Sequence, residues 1–240
     1  MHRFFIPAEL FITKEVTLPA DISRQISRVL RLKTSDAILL LDDRGNEYPS
    51  LLQTVNDTAC MAIVKSKQPS EGEPAIHLRL ILGLTQREKF ELILQKCTEV
   101  GVSEFLPVIT SRTLIQKTRD AEDKYPRWQK ILREAAEQSH RGCIPRLLPI
   151  NNYAQALEQN EDSLKLILWE EESSISLKGK LSGYQGKQLT LLVGPEGGLS
   201  AGEVDLARQN GFIPVSMGRR ILRMETAAIL AVGLALYELG

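Results

Sequence analysis

The stretch "LLVGPEGGLSAGEV", Leu191 to Val204, decides how this chain folds. Leucine and valine lead straight into a glycine-rich turn. The turn leads into Ser200-x-x-Glu203, the pattern of a capping box that opens a helix. A strand, a tight turn and a helix in that order make half of a parallel βαβ unit. Working outward from "LTLLVG" (Leu189 to Gly194), four more apolar runs have strand length: "HLRLILGL" (His77 to Leu84), "EFLPVI" (Glu104 to Ile109), "LKLILW" (Leu164 to Trp169) and "FIPVSM" (Phe212 to Met217). Runs with no polar alternation belong to strands buried on both faces. The region therefore reads as α/β, a mostly parallel sheet with helices on both faces.

The segments between these runs have helical periodicity. In "KFELILQKCTEVG" (Lys89 to Gly101), Phe90, Ile93, Leu94, Cys97 and Val100 share one stripe, and Gly101 suits the cap. In "PRWQKILREAAEQSHRG" (Pro126 to Gly142), Pro126 suits the first turn, and Ile131, Leu132, Ala135 and Ala136 form the buried stripe. Glu134, Gln138 and Arg141 stack one turn apart on another face.

The composition shifts once, at "KSKQPSEGEPAIH" (Lys65 to His77), where Ser, Gly, Pro and charged residues replace apolar periodicity. A boundary there gives domains 1–70 and 71–240. The first contains short strand-like pieces, "DAILLLDDRGNEYPSLLQTV" and "ACMAIVKS", around the turn Asp43-Arg44-Gly45-Asn46, and one helix-like piece, "ADISRQISRVLRL". It reads as β-rich.

The totals set limits. With 240 residues, 43% of them apolar, the chain can build a sizeable core. The 30 basic and 30 acidic residues cancel, so a nucleic-acid partner must be met by a local patch rather than by the bulk field. Between Ile109 and Arg146 there are nine basic residues (Arg112, Lys117, Arg119, Lys124, Arg127, Lys130, Arg133, Arg141, Arg146) against five acidic ones. An RNA-facing patch and a solvated face both fit that surplus. Cys60, Cys97 and Cys143 have neither disulfide-framework nor metal-ligand spacing, so no metal is expected and they read as small core residues. No apolar run approaches the roughly 20 residues that span a bilayer. "MHRFFIPAEL" is broken too early for a signal peptide. A soluble cytoplasmic protein with no membrane partner is expected.

The glycine turn raises the question of its ligand. Phosphate-cradling loops present bare backbone N–H groups and a lysine, and this turn carries Glu196 instead. The dinucleotide pattern G-x-G-x-x-G is absent as well. A ligand that needs close backbone approach, has no phosphate and carries a positive charge fits better. S-adenosylmethionine has these properties, and an ordinary strand-to-helix turn remains the alternative.

The last stretch, "SMGRRILRMETAAILAVGLALYELG" (Ser216 to Gly240), puts Arg219, Arg220, Arg223 and Glu225 between a strand and a nearly all-apolar helix. Together with "HRFF", "ILQKCTEVGVSEFLPVIT" followed by "SRT", "RWQKILREAAEQSHRGCIPRL" and "GPEGG", it resembles the RsmE family nearly end to end. Those enzymes are 16S ribosomal RNA uridine-N3 methyltransferases of the SPOUT superfamily. Met217 and Arg219 stand where the family usually has leucine and proline, and Met224 where it has threonine.

The resemblance implies a C-terminal trefoil knot, an N-terminal PUA-like RNA-binding β-barrel, and a homodimer with its active site at the interface. It implies S-adenosylmethionine as cofactor, held by Leu168, Leu192, Val193, Gly194, Pro195, Glu196 and Gly197 and by Met217, Gly218, Ile221 and Leu222. The small ribosomal subunit is the implied partner, with Arg3, Lys89, Lys96, Arg112, Arg133 and Arg141 as RNA contacts. Arg223 is the candidate for stabilising the deprotonated uridine. Glu225 either orients Arg223, takes the N3 proton, or simply favours the helix start. A non-catalytic RNA-binding protein and a tRNA-directed SPOUT enzyme are the competing readings.

Overall fold

The computed structural model describes residues 1–113, 123–158 and 163–239. They form two compact units: Met1–Glu73 with Ala136–Ile144, and Pro74–Ala135 with Pro145–Gly240.

In the first unit, strands β1 (His2–Phe5), β2 (Glu15–Thr17), β3 (Ala37–Leu41), β4 (Asn46–Thr54), β5 (Met61–Val64) and β6 (Gln68–Pro69) form one sheet of order β1-β3-β4-β5-β2, with β6 on β4. The β1–β3 pairing is parallel and the others are antiparallel. The β3–β4 hairpin turns where the sequence expects it. Asp43 and Gly45 take φ of 56° and 80°, and the Asp42 carboxylate accepts the backbone N–H groups of Arg44 (2.9 Å) and Asn46 (3.1 Å). Phe4, Leu18, Ile26, Ile38 and Leu40 lie in the core. The expected single helix is instead a short α-helix, α1 (Ala20–Arg24), running into a π-helical turn over Gln25–Val29.

The segment Ala136–Ile144 completes this unit. Ala136 packs with Phe5, Leu39 and Leu41, and the Phe5 N–H donates to Glu137 Oε1 at 3.0 Å. A linear reading with one boundary near residue 70 does not reveal this returning segment.

The second unit holds β7 (His77–Gly83), β8 (Glu104–Ile109), β9 (Arg146–Leu147), β10 (Asn151–Asn152), β11 (Leu164–Leu168), β12 (Gln188–Val193) and β13 (Ile213–Val215). All pairings are parallel, in the order β10-β8-β7-β12-β11-β13 with β9 on β8. Its helices are α2 (Arg87–Val100), α3 (Tyr125–Gln138), α4 (Tyr153–Leu157), α5 (Leu177–Leu181), α6 (Ala201–Gln209) and α7 (Met224–Leu239); the last residues of α3 belong to the first unit. Continuous burial along β7, β8 and β12 means that both sheet faces are covered. Tyr153, Ala156 and Leu157 of α4 and Val204 and Ala207 of α6 cover the face that carries Ile81, Leu106, Ile167 and Leu192.

Helix α2 buries Phe90, Ile93, Leu94 and Cys97 as its periodicity predicts, and Gly101 ends it at φ 125°. Val100 is 38% exposed rather than buried. Thr98 takes an inner position, with Oγ1 donating to the Leu94 carbonyl at 2.7 Å.

The strand order positions the site. Strands β11, β12 and β13 are adjacent, with Leu168 in register with both Val193 and Val215. Three loops therefore leave the sheet side by side at its carboxyl edge, where open parallel sheets bind ligands.

Candidate functional site

Those loops enclose a cavity of about 530 Å³, lined by Leu168–Glu170, Val193–Leu199, Val215–Glu225, Ala227 and Lys89. This volume lies in the range of about 300–1,000 Å³ usual for small-molecule sites. Of the eleven residues the resemblance points to, ten line it. Leu192 does not: side chains alternate along a strand, and Leu192 sits fully buried beside Ile81 and Ile167 in the core. Trp169, Gly198, Leu199, Ser216, Arg219 and Arg220 also line the cavity. Trp169, Arg219 and Arg220 fall inside the loops that the family motifs imply, Leu168–Glu170 and Met217–Leu222, and Gly198, Leu199 and Ser216 adjoin those motifs.

The loop after β12 is held from several sides. A Cβ on Gly83 would come within 2.6 Å of the Pro195 nitrogen, so glycine in β7 lets the loop lie against the strand. Gly198 turns at φ 70°, with its N–H on the Pro195 carbonyl at 2.9 Å. Arg112 Nη1 donates to the carbonyls of Gly197 (2.9 Å) and Leu199 (3.4 Å). Lys89 forms an ion pair with Glu196. That hydrogen bond holds the Glu196 carboxyl below its ordinary range despite partial burial.

The predicted capping box is present, with Glu203 N–H on Ser200 Oγ (3.3 Å) and Ser200 N–H on Glu203 Oε2 (2.9 Å). Glu203 also accepts from Ser111, from its N–H at 2.7 Å and its hydroxyl at 3.0 Å. Burial raises the Glu203 carboxyl, but the donors on Ser111 and Ser200 outweigh it and hold the group low.

The loop after β13 is built differently. Ser216 Oγ accepts the Gly218 N–H at 3.2 Å, and Gly218 takes φ 110°, where an added Cβ would meet nothing within 4 Å. Glycine there serves the backbone conformation rather than close packing. Arg219, Arg220 and Arg223 are exposed, and none forms an ion pair among the described residues. Glu225, in the first turn of α7, has Oε2 buried without a hydrogen-bond partner, as has Trp169 Nε1. Arg223 and Glu225 both line the cavity but form no ion pair with each other.

The predicted RNA contacts separate on inspection. Arg141 lies beyond the end of α3, is 2% exposed and binds Glu73 at 2.7 Å; it is a buried structural cation and presents nothing to a phosphate. Arg3 is held by Glu47 at 2.8 Å with its side chain 10% exposed, which corrects the same expectation. Arg112 is committed to the glycine loop. Lys89 lines the cavity, Lys96 pairs with Glu99 at 2.9 Å, and Arg133 is half-buried. Arg127 and Arg146 bind Glu91 and Glu104, which lie outside the basic stretch Ile109 to Arg146. Lys117 and Arg119 lie outside the described residues.

Helix α7 leaves Leu230 (43%), Leu234 (45%) and Tyr237 (88%) exposed. No helix among the described residues is long and apolar enough to cross a membrane.

Comparison with known proteins places this architecture. Residues 72–236 match the RNA methyltransferase domain family. The chain is 34% identical to the ribosomal RNA small subunit methyltransferase E of Synechocystis over 96% of its own length and 76% of the relative's. It is 30% identical to that of Bacillus subtilis over 99% and 97%. Among solved structures, the corresponding enzyme of Neisseria gonorrhoeae bound to S-adenosyl methionine superimposes with a TM-score of 0.93 at 31% identity, covering 100% of this chain and 98% of the other. A putative methyltransferase of Legionella pneumophila, also in complex with that cofactor, gives 0.89 at 27% identity, covering 99% and 97%. Matches of this extent, over both units and at this identity, show that the chain belongs to the ribosomal RNA small subunit methyltransferase E family of RNA methyltransferases.

Proposed function

We propose that the chain transfers a methyl group from S-adenosylmethionine to N3 of a uridine in the 16S RNA of the small ribosomal subunit. The cavity at the three strand ends carries the reading. It combines an apolar floor (Leu168, Val193, Leu199, Val215), an acid-bearing glycine loop and the unpartnered Glu225 Oε2 and Trp169 Nε1. Buried polar atoms without partners are rare and mark places where a ligand completes the hydrogen bonding. A cationic adenosyl ligand suits this set, and Leu168, Val193–Gly197, Met217, Gly218, Ile221 and Leu222 are the residues that would hold it. When bound, it supplies an electrophilic methyl on a sulfonium.

The chain's own groups then have two tasks. Uridine N3 must lose its proton, and the role of acceptor goes to Glu225, which lines the cavity and whose Oε2 has no hydrogen-bond partner, whereas no Arg223–Glu225 ion pair among the described residues supports a purely orienting role. The negative charge left on the base needs a donor, and the free guanidinium of Arg223 at the same cavity supplies it. N3 lies on the pairing edge, so the base enters unpaired or flipped.

The same reading takes the first unit, Met1–Glu73 with Ala136–Ile144, as a PUA-like β-barrel domain, the second, Pro74–Ala135 with Pro145–Gly240, as a SPOUT domain with a C-terminal knot, and the setting as cytoplasmic. Exposed Leu230, Leu234 and Tyr237 on an apolar helix support a homodimer with its active site at the interface.

The test is incubation with labelled S-adenosylmethionine and small subunits from a strain lacking its own enzyme. Label in 3-methyluridine of 16S RNA is expected. Label in tRNA alone, or RNA binding without transfer, would replace this reading with one of its competitors.

A further inference from the structure

The rim of the cavity is electrostatically divided. On the side of the glycine loop every charged group is engaged or acidic: Lys89 pairs with Glu196, Arg112 binds loop carbonyls, and Glu170 stands beside Gly198. On the opposite side Arg219 and Arg220 are exposed, follow one another in sequence and pair with no carboxylate among the described residues. This contrasts with the cations the sequence suggested for RNA. Arg3, Lys96 and Arg141 are each neutralised within the chain, at 2.8, 2.9 and 2.7 Å. Two adjacent guanidiniums repel each other when no anion lies between them, and packing does not require these two, since neither is buried.

We infer that Arg219 and Arg220 form the wall over which the RNA enters, gripping the phosphates that flank the target nucleotide. The inference rests on the methyl-transfer reading of the cavity. A base extruded into a pocket brings its own two flanking phosphates to the mouth, and the mouth is where these arginines stand. Guanidinium is the side chain whose fork matches phosphate oxygens.

The experiment measures RNA affinity against salt for the wild type, Arg219→Ala, Arg220→Ala, Arg219→Pro and Lys96→Ala, beside the rise in Tm caused by S-adenosylhomocysteine. Each rim variant is expected to reduce the log–log salt slope by about one and weaken RNA binding about threefold to tenfold near physiological salt. The cofactor-induced Tm rise is expected to persist, and Lys96→Ala to keep the wild-type slope. Unchanged slopes in the rim variants, with wild-type protein binding and methylating RNA, overturn this inference alone. Loss of the Tm rise also overturns it, because the arginines would then serve the cofactor. A wild type that neither binds nor methylates RNA overturns the underlying reading as well.

Discussion

The two loops that face each other across the cavity are built on opposite terms. Gly194–Leu199 is tied down from outside itself: by Lys89 on Glu196, by Arg112 on two carbonyls, and by the close fit of Pro195 over Gly83. Among the described residues, Met217–Arg223 receives no side-chain hydrogen bond from another segment; its side-chain hydrogen bonds are those between Ser216 and Gly218, and its end is tied by the Ala227 N–H to the Arg223 carbonyl. A fixed wall suits a small ligand that must be presented in one geometry, because preorganisation removes the ordering cost of binding. An untied, cationic wall suits a polymer whose backbone varies in path.

This contrast can be broken by substitution. The largest effect is expected at Arg223, where the untied wall meets the proposed methyl-transfer chemistry. Arg223→Ala should lower the single-turnover methylation rate about 100-fold or more with RNA and cofactor both saturating. Arg223→Lys should recover part of that if charge alone suffices. A normal saturated rate in the alanine variant would remove Arg223 from catalysis.

Arg112→Ala should free the fixed wall. KM for S-adenosylmethionine is expected to rise about tenfold, as for loss of a charged hydrogen-bond donor, with the salt slope of RNA binding unchanged. A reduced slope at unchanged cofactor KM would return Arg112 to the role of RNA contact. The paired glycines sharpen the comparison. Gly83→Ala forces Pro195 away and should cost about 1–3 kcal/mol of stability, with cofactor affinity lost as well. Gly218→Ala meets no neighbouring atom and should cost only about 1 kcal/mol of backbone strain. Equal losses of cofactor affinity in the two would show that both walls are equally constrained.

The smallest effect concerns pH. Glu203 is held below its ordinary range, so its contribution is fully present above the unfolded carboxyl value near ~4.3 and is lost as pH falls through the lower folded value. Glu203→Gln should flatten the acid limb of stability against pH and cost about 1 kcal/mol at neutrality. An unchanged acid limb would show that the Ser111 and Ser200 donors do not favour the ionised form.

What the sequence revealed follows the range of each interaction. The capping box of Ser200 and Glu203 spans three positions and was legible. The second use of Glu203, by Ser111, joins residues 92 positions apart and was not. Apolar runs gave the parallel sheet because burial on both faces leaves no alternation. The resemblance implies Leu192 in the cofactor site, but strand alternation turns its side chain into the core beside Ile81 and Ile167. Counting charges in a window cannot see acceptors outside it. Glu73 and Glu104 neutralise Arg141 and Arg146, and the acceptors for Arg112 are backbone carbonyls that carry no charge to count. Arg219 and Arg220 were visible as letters. Only the structure shows that they, with Arg223, stand beside the cavity without a carboxylate partner among the described residues.

The return of Ala136–Ile144 to the first unit has a consequence for synthesis. The chain emerges from its amino end, but Phe5, Leu39 and Leu41 find Ala136 only after nearly a hundred further residues have been made. Contacts of such long sequence separation form slowly. The amino-terminal unit is therefore expected to wait, with part of its apolar surface uncovered, until residue 144 has left the exit tunnel. A fragment ending at residue 73 should show that uncovered surface by binding a hydrophobic dye, whereas the full chain should not.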